Sequence, residues 1–266
     1  MDDPPSRGRP RSDPKAADSN AMGYLALTML ALAAPVAEPG GTPRLMELRP
    51  TLARGVLVNL TAGSAPEAAI DPARPTVVVV HGVNVFAPLL RFALAERYAE
   101  VIARRHGAGV NVLGWDWNAA TLAGLRPSVN HRHAIDQGHA LAAALYRLGV
   151  EPAHLHFIAQ STGCLVSAAA ARDLLSWTGR PVARLTLLDP ITWHHPLIFE
   201  QLGASSCARL VEHYWAPGPS GFGREAPYPG VLNTRVDGPH GLLGLIRPLH
   251  TDHLHAVRWH LGTLGR

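Results

Sequence analysis

"HLHFIAQSTGCLVSAAAAR" (154–172) joins an apolar run to an Ala-rich, small-residue segment through Ala159-Gln160-Ser161-Thr162-Gly163. The first part reads as a strand buried on both sides and the last as a buried helix, so Ser161 falls on the turn between them. A strand that turns this sharply into a helix brings the two elements close together, and only small side chains fit two residues before and two residues after the turn. Ala159 and Gly163 occupy those positions. An elbow of this kind exposes a serine hydroxyl, but chemistry at that hydroxyl also needs a base, an acid and donors for a developing oxyanion.

Outward from this stretch, strand and helix patterns alternate. "LARGVLVNL" (52–60) reads as an early strand, "TVVVV" (76–80) as a continuous β-branched strand, and "GVNVLGWDW" (109–117) as another. Between the last two, residues 87–105 place Leu90, Leu94, Tyr98, Val101 and Ile102 on one helical face. Residues 131–149 form the next helical pattern, with Gly149 where a C-cap glycine belongs. Further strands are expected at 184–190, 208–216 and 231–237, and a closing helix at 253–264. Such alternation predicts an α/β fold, a mostly parallel central sheet with helices on both faces. The Gly- and Pro-rich stretch 216–230 reads as a surface loop or a flap.

The partners of Ser161 are sought downstream, in the order serine, carboxylate, histidine. Asp189 ends the strand "RLTLLD" and therefore sits on the C-terminal edge of the sheet, where open α/β sheets carry their sites. Asp237 is its rival. Among 15 histidines, His253 stands at a loop-to-helix junction and is the expected base, with His250 and then His240 as alternatives. "VVVVHGVN" ends a strand at His81-Gly82-Val83. There the N–H of Val83 joins the N–H of Thr162 as the expected oxyanion donors, with Gly82 allowing a substrate carbonyl to come close. His250, Asp252, His253 and His255 crowd into one short segment without a second ligand cluster, a poor spacing for a metal site. No metal or other cofactor is expected.

Composition sets the remaining bounds. A chain of 266 residues with 47% hydrophobic and 17% charged residues buries one substantial core. The formal charge of +4 comes almost wholly from scattered arginines, Lys15 being the exception, and no basic stripe with interleaved aromatics predicts nucleic-acid binding. Cys164 and Cys207 read as core residues rather than as a disulfide framework. Residues 1–49 read as an unstructured N-terminal segment containing an apolar run at 22–37. That run is too short for a stable membrane span and has the length of a signal-peptide core, a slight lean toward export over a cytoplasmic location. Residues 50–266 form the expected folded domain.

Together these pieces resemble the α/β-hydrolase superfamily, and within it the pancreatic-lipase-like branch. The resemblance rests on "VVVVHGVN", "NVLGWDWN", "HFIAQSTG", "RLTLLDP" and "HLHAVRW", and covers roughly residues 70–262. It implies a serine esterase with a Ser161-Asp189-His253 triad, acting on a small-molecule ester or lipid through an acyl-enzyme. In that branch the histidine precedes a leucine and, six and seven residues on, an aromatic pair. Leu254 and Trp259 fit, with His260 replacing the second aromatic. Gln160 replaces the usual histidine before the serine, and the branch's lid with its disulfide and its lipid-binding second domain have no counterpart in these residues. An acyltransferase with the same triad, or a non-catalytic binding scaffold of this fold, are the alternatives.

Overall fold

The structure, a computed structural model, describes residues 46–47, 55–64, 69–83, 93–122, 127–190, 203–217, 223–237 and 253–265. All lie within one unit, Gly40–Arg266; the other, Met1–Pro39, lies outside the described residues, and with it the apolar run 22–37. In chain order the strands are β1 Met46–Glu47, β2 Val56–Asn59, β3 Thr76–Val80, β4 Asn111–Asp116, β5 Leu155–Gln160, β6 Val182–Leu188, β7 Ala208–Trp215 and β8 Val231–Arg235. The helices are α1 Ala93–His106, α2 Asn118–Leu122, α3 Pro127–Arg147, α4 Gly163–Thr178 and α5 His255–Leu264. The short strand β1 falls inside the segment read as unstructured, and α2 carries no amphipathic pattern long enough to foresee.

The eight strands form one sheet in the order β1-β2-β4-β3-β5-β6-β7-β8. β1 and β2 pair antiparallel, as do β2 and β4; every other pairing is parallel. This is the mostly parallel α/β sheet expected from the alternation of elements, in the strand order of the α/β-hydrolase fold that the resemblance implies. Strand order doubles back at β3, so that β3 lies between β4 and β5 and the ends of β3, β5 and β6 become neighbours.

Alternating side chains divide the sheet between two cores. Val78 and Val80 of β3, Phe157 and Ala159 of β5, and Leu185 and Leu187 of β6 pack with α3 and α4. Val79, Ile158 and Leu188 point the other way, against Tyr98 and Ile102 of α1 and Val257 of α5. This two-sided burial is why the strands read as unbroken apolar runs; each fully buried aliphatic side chain contributes on the order of 1.5–3 kcal/mol. α3 ends as its glycine predicts: Gly149 has φ 70°, its N–H donates to Tyr146 O, and the Val150 N–H donates to Leu145 O, the paired bonds of a Schellman cap. Cys164 and Cys207 are free and buried, as core residues should be. No helix among the described residues is long and apolar enough to cross a membrane.

Candidate active site

Only Ser161 and Asp189, among the described non-glycine residues, have positive φ, at 56° and 46°. They are the residues directly after β5 and β6, adjacent parallel strands in which Gln160 pairs with Leu188. The Ser161 N–H donates to Leu188 O at 3.0 Å, so the last rung of the ladder fixes the turn. After Ser161 the chain enters α4 at once, with the Cys164 N–H on Ser161 O and the Leu165 N–H on Thr162 O.

The crowding that small residues relieve comes from β3. A Cβ on Gly163 would stand 2.4 Å from His81 O and 2.7 Å from Val80 O, both backbone atoms. Ala159 is buried opposite Val80 in the parallel register. A Cβ on Gly82 would lie 2.6 Å from Ser161 Cβ and 2.7 Å from Gln160 Oε1. Glycine at 82 thus lets Ser161 and Gln160 approach the β3 end, a closer constraint than the expected approach of a substrate.

Asp189 is fully buried and held on three sides. Its N–H donates to Tyr214 O at 2.7 Å, and its Oδ1 accepts from the Ala216 N–H at 3.2 Å. Its Oδ2 accepts from His253 Nδ1 at 2.6 Å. Gly223 closes over the carboxylate: a Cβ there would meet Ala216 O at 1.9 Å and Asp189 Oδ1 at 2.8 Å. With the Nδ1 proton directed at the carboxylate, Nε2 of His253 carries the lone pair a base requires. Asp237, the rival acid, is exposed, ion-pairs with Arg235 at 2.9 Å, and accepts on its backbone carbonyl from His255 Nε2. His253 is thereby brought to Asp189. His250 and His240, the alternative bases, lie outside the described residues.

At the end of β3, Trp117 organises His81. The Trp117 backbone N–H donates to His81 Nε2 at 3.3 Å, its indole N–H donates to His81 O at 2.7 Å, and the two rings stack 5.8 Å apart. His81 Nε2 is therefore the acceptor nitrogen, which leaves Nδ1–H to donate to Gly82 O at 2.7 Å. The Gly82 N–H in turn donates to Gln160 Oε1 at 3.1 Å. Among the described residues neither the Val83 N–H nor the Thr162 N–H has a hydrogen-bond acceptor. Val83 follows the end of β3 and Thr162 follows Ser161 after β5, at the same edge of the sheet.

Cys164, three residues beyond the serine, is no rival for it: burial pushes the thiol up, and its Sγ donates to Ala159 O. His260 fills the place of the second aromatic after His253. It is buried, its Nδ1 accepts from the Tyr98 hydroxyl at 2.9 Å, and it packs on the Tyr214 ring, while Trp259 stays partly exposed. Among the described residues no group of three or more His, Cys, Asp or Glu side chains is arranged to hold a metal ion.

Sequence reasoning missed the Ala216 and Gly223 contacts to Asp189 and the Gln160 bond to Gly82. The signal for the first lay in the Gly-rich stretch after β7. For the second it lay in a polar side chain at a buried strand end.

No family model matches the sequence, and no curated protein does. Solved structures that resemble the chain include fungal esterases from Rhizomucor miehei, at 14% identity over 97% of this chain and 98% of that one, TM-score 0.47. Esterase 2 of Thermogutta terrifontis is 12% identical over 86% of this chain and 97% of its own, TM-score 0.46. An esterase of Pyrobaculum calidifontis is 16% identical over 96% and 93%, TM-score 0.43. At this distance the fold assignment rests on strand order and register.

Proposed function

We propose that the protein is a serine hydrolase of carboxylic esters that works through an acyl-enzyme. The observation that carries this reading is the juxtaposition of Ser161 and Asp189 on adjacent strand ends, with His253 bonded to Asp189. Ser161 Oγ attacks the ester carbonyl carbon while His253 Nε2 takes its proton. The carbonyl π electrons move to oxygen, and the N–H groups of Val83 and Thr162 donate to the oxyanion. Collapse breaks the bond to the alcohol, which leaves with the proton from His253. Water then repeats the sequence on the acyl-enzyme, releasing the acid and restoring Ser161. Asp189 holds the imidazole tautomer and stabilises its cation during both halves. The chemistry needs no cofactor.

Resemblance to the pancreatic-lipase-like branch belongs to this proposal, on the strength of the five sequence motifs and of Asp189 directly following the strand after the serine's helix. Short-chain p-nitrophenyl esters test the reading. Release of nitrophenol by the parent protein, with an initial burst and loss in Ser161→Ala, is the expected result. Equal release by parent and Ser161→Ala would refute it.

A further inference from the structure

We infer that Gln160 is a positioning residue for the Val83 N–H, setting the oxyanion donor through the backbone of Gly82. The inference rests on the ester-hydrolase reading above and adds a residue to it. The Gly82 carbonyl and the Val83 N–H belong to one planar trans peptide and point to opposite sides of it. Whatever holds the carbonyl therefore aims the N–H. His81 Nδ1 holds that carbonyl at 2.7 Å, which fixes the peptide on the far side of Gly82 Cα. Gln160 Oε1 holds the Gly82 N–H at 3.1 Å, which fixes the peptide on the near side.

Both clamps are needed because the residue between them is glycine. It rotates freely in φ and ψ, and no larger residue could replace it, since a Cβ there would collide with Ser161 Cβ and Gln160 Oε1. The same contact that excludes a side chain thus demands an outside restraint. Gln160 supplies it from the residue just before the nucleophile, so one strand end carries both the serine and the tether for its donor. Gln160 is itself buried, at 8% exposure, so water does not readily take its place at the Gly82 N–H. The amide orientation follows from chemistry: an N–H donor requires the carbonyl oxygen of the side chain.

The test compares the parent with Gln160→Met, which keeps length and volume without the amide oxygen. Gln160→Asn keeps the amide but withdraws its oxygen by one C–C bond, and carries the test if the first variant does not fold. Each is measured for kcat and KM on a short p-nitrophenyl ester and for the Ki of an alkyl trifluoromethyl ketone, which forms a tetrahedral oxyanion on the serine. Because complete loss of one oxyanion donor lowers turnover by about 10²–10³, a misaimed donor is expected to lower kcat about 10–100-fold. Affinity for the ketone should fall by a matching factor, with KM within about twofold, since the ground-state carbonyl gains little from the hole. Folded variants with parental kcat and ketone affinity would overturn the inference, as would a loss confined to KM. A parent inert toward both ester and ketone would instead refute the hydrolase reading itself, and the inference with it.

Discussion

The ends of β5 and β6 solve the same problem in different ways. Each strand finishes in a non-glycine residue with positive φ, Ser161 and Asp189, a conformation that costs an L-residue roughly 1–2 kcal/mol. At Ser161 the turn is held by close backbone packing: Gly163 fits beneath the β3 carbonyls, Gly82 faces the serine Cβ, and the helix starts immediately. At Asp189 the turn is held by hydrogen bonds, to Tyr214 O, the Ala216 N–H and His253, with Gly223 leaving no room for a side chain beside the carboxylate. The first arrangement presents a side chain at the sheet edge. The second buries a carboxylate and spends its oxygens on two fixed donors. On the proposed reading the nucleophile needs a free hydroxyl and the acid a fixed carboxylate, which is how the bonds at the two strand ends differ.

The sharpest break of this comparison is chemical. Ser161→Ala is expected to lower kcat on the order of 10⁶-fold and Asp189→Asn on the order of 10⁴-fold, because loss of the nucleophile ends the pathway while loss of the charge disturbs tautomer and cation. Steady-state kinetics on a p-nitrophenyl ester checks the order; an Asp189→Asn enzyme with parental kcat would remove Asp189 from the site.

Acid behaviour separates activity from folding. Desolvation by burial holds His260 down at about 4, against 6.5 for a free imidazole, with the Arg184 guanidinium adding to the shift and Glu212 opposing it. Its neutral form is the folded form, so the unfolded chain binds the proton first. Stability present above pH 6.5 is then lost as pH falls toward 4, by about 3 kcal/mol for this residue. Burial lowers His213 as well, in the same direction. Denaturant midpoints across this window should fall with pH in parent and His253→Ala alike, and should fall less steeply in His260→Phe, where the buried His213 and the part-buried His156 remain.

The two glycines next to the turns give a smaller, paired effect. Gly163→Ala forces a Cβ against two backbone carbonyls of β3 and is expected to cost about 1–3 kcal/mol. Gly223→Ala presses on Ala216 O and Asp189 Oδ1, so it should displace the carboxylate and lower kcat more than it lowers Tm. Thermal melts beside kinetics distinguish them; an equal split in both variants would erase the contrast between close packing and hydrogen-bond clamping. Smallest is the backbone itself. Ser161→Gly should be more stable than Ser161→Ala by about 1 kcal/mol, since only glycine accepts φ 56° without steric cost.

The same contrast explains what the sequence made legible. The elbow's signature is local, since Ala159, Gly163 and the small-residue helix announce it within a few residues. The buried strands are likewise local, because two-sided burial writes an unbroken β-branched run such as "TVVVV". Asp189 could be placed at a strand end but not its clamp, since Ala216 and Gly223 reach it across β7 and a loop. β1 escaped notice because two residues of antiparallel pairing leave no periodic pattern. Gln160 looked like a departure from a familiar motif; only the register of β3 and β5 brings its amide to Gly82.

The central claim is that Ser161 is a nucleophile served by His253. Labelling the folded protein with a fluorophosphonate, then mapping the adduct by peptide mass spectrometry, tests it most directly. The account predicts one rapid adduct on Ser161, lost in His253→Ala. No adduct on folded protein, or an adduct formed just as fast in His253→Ala, would contradict it.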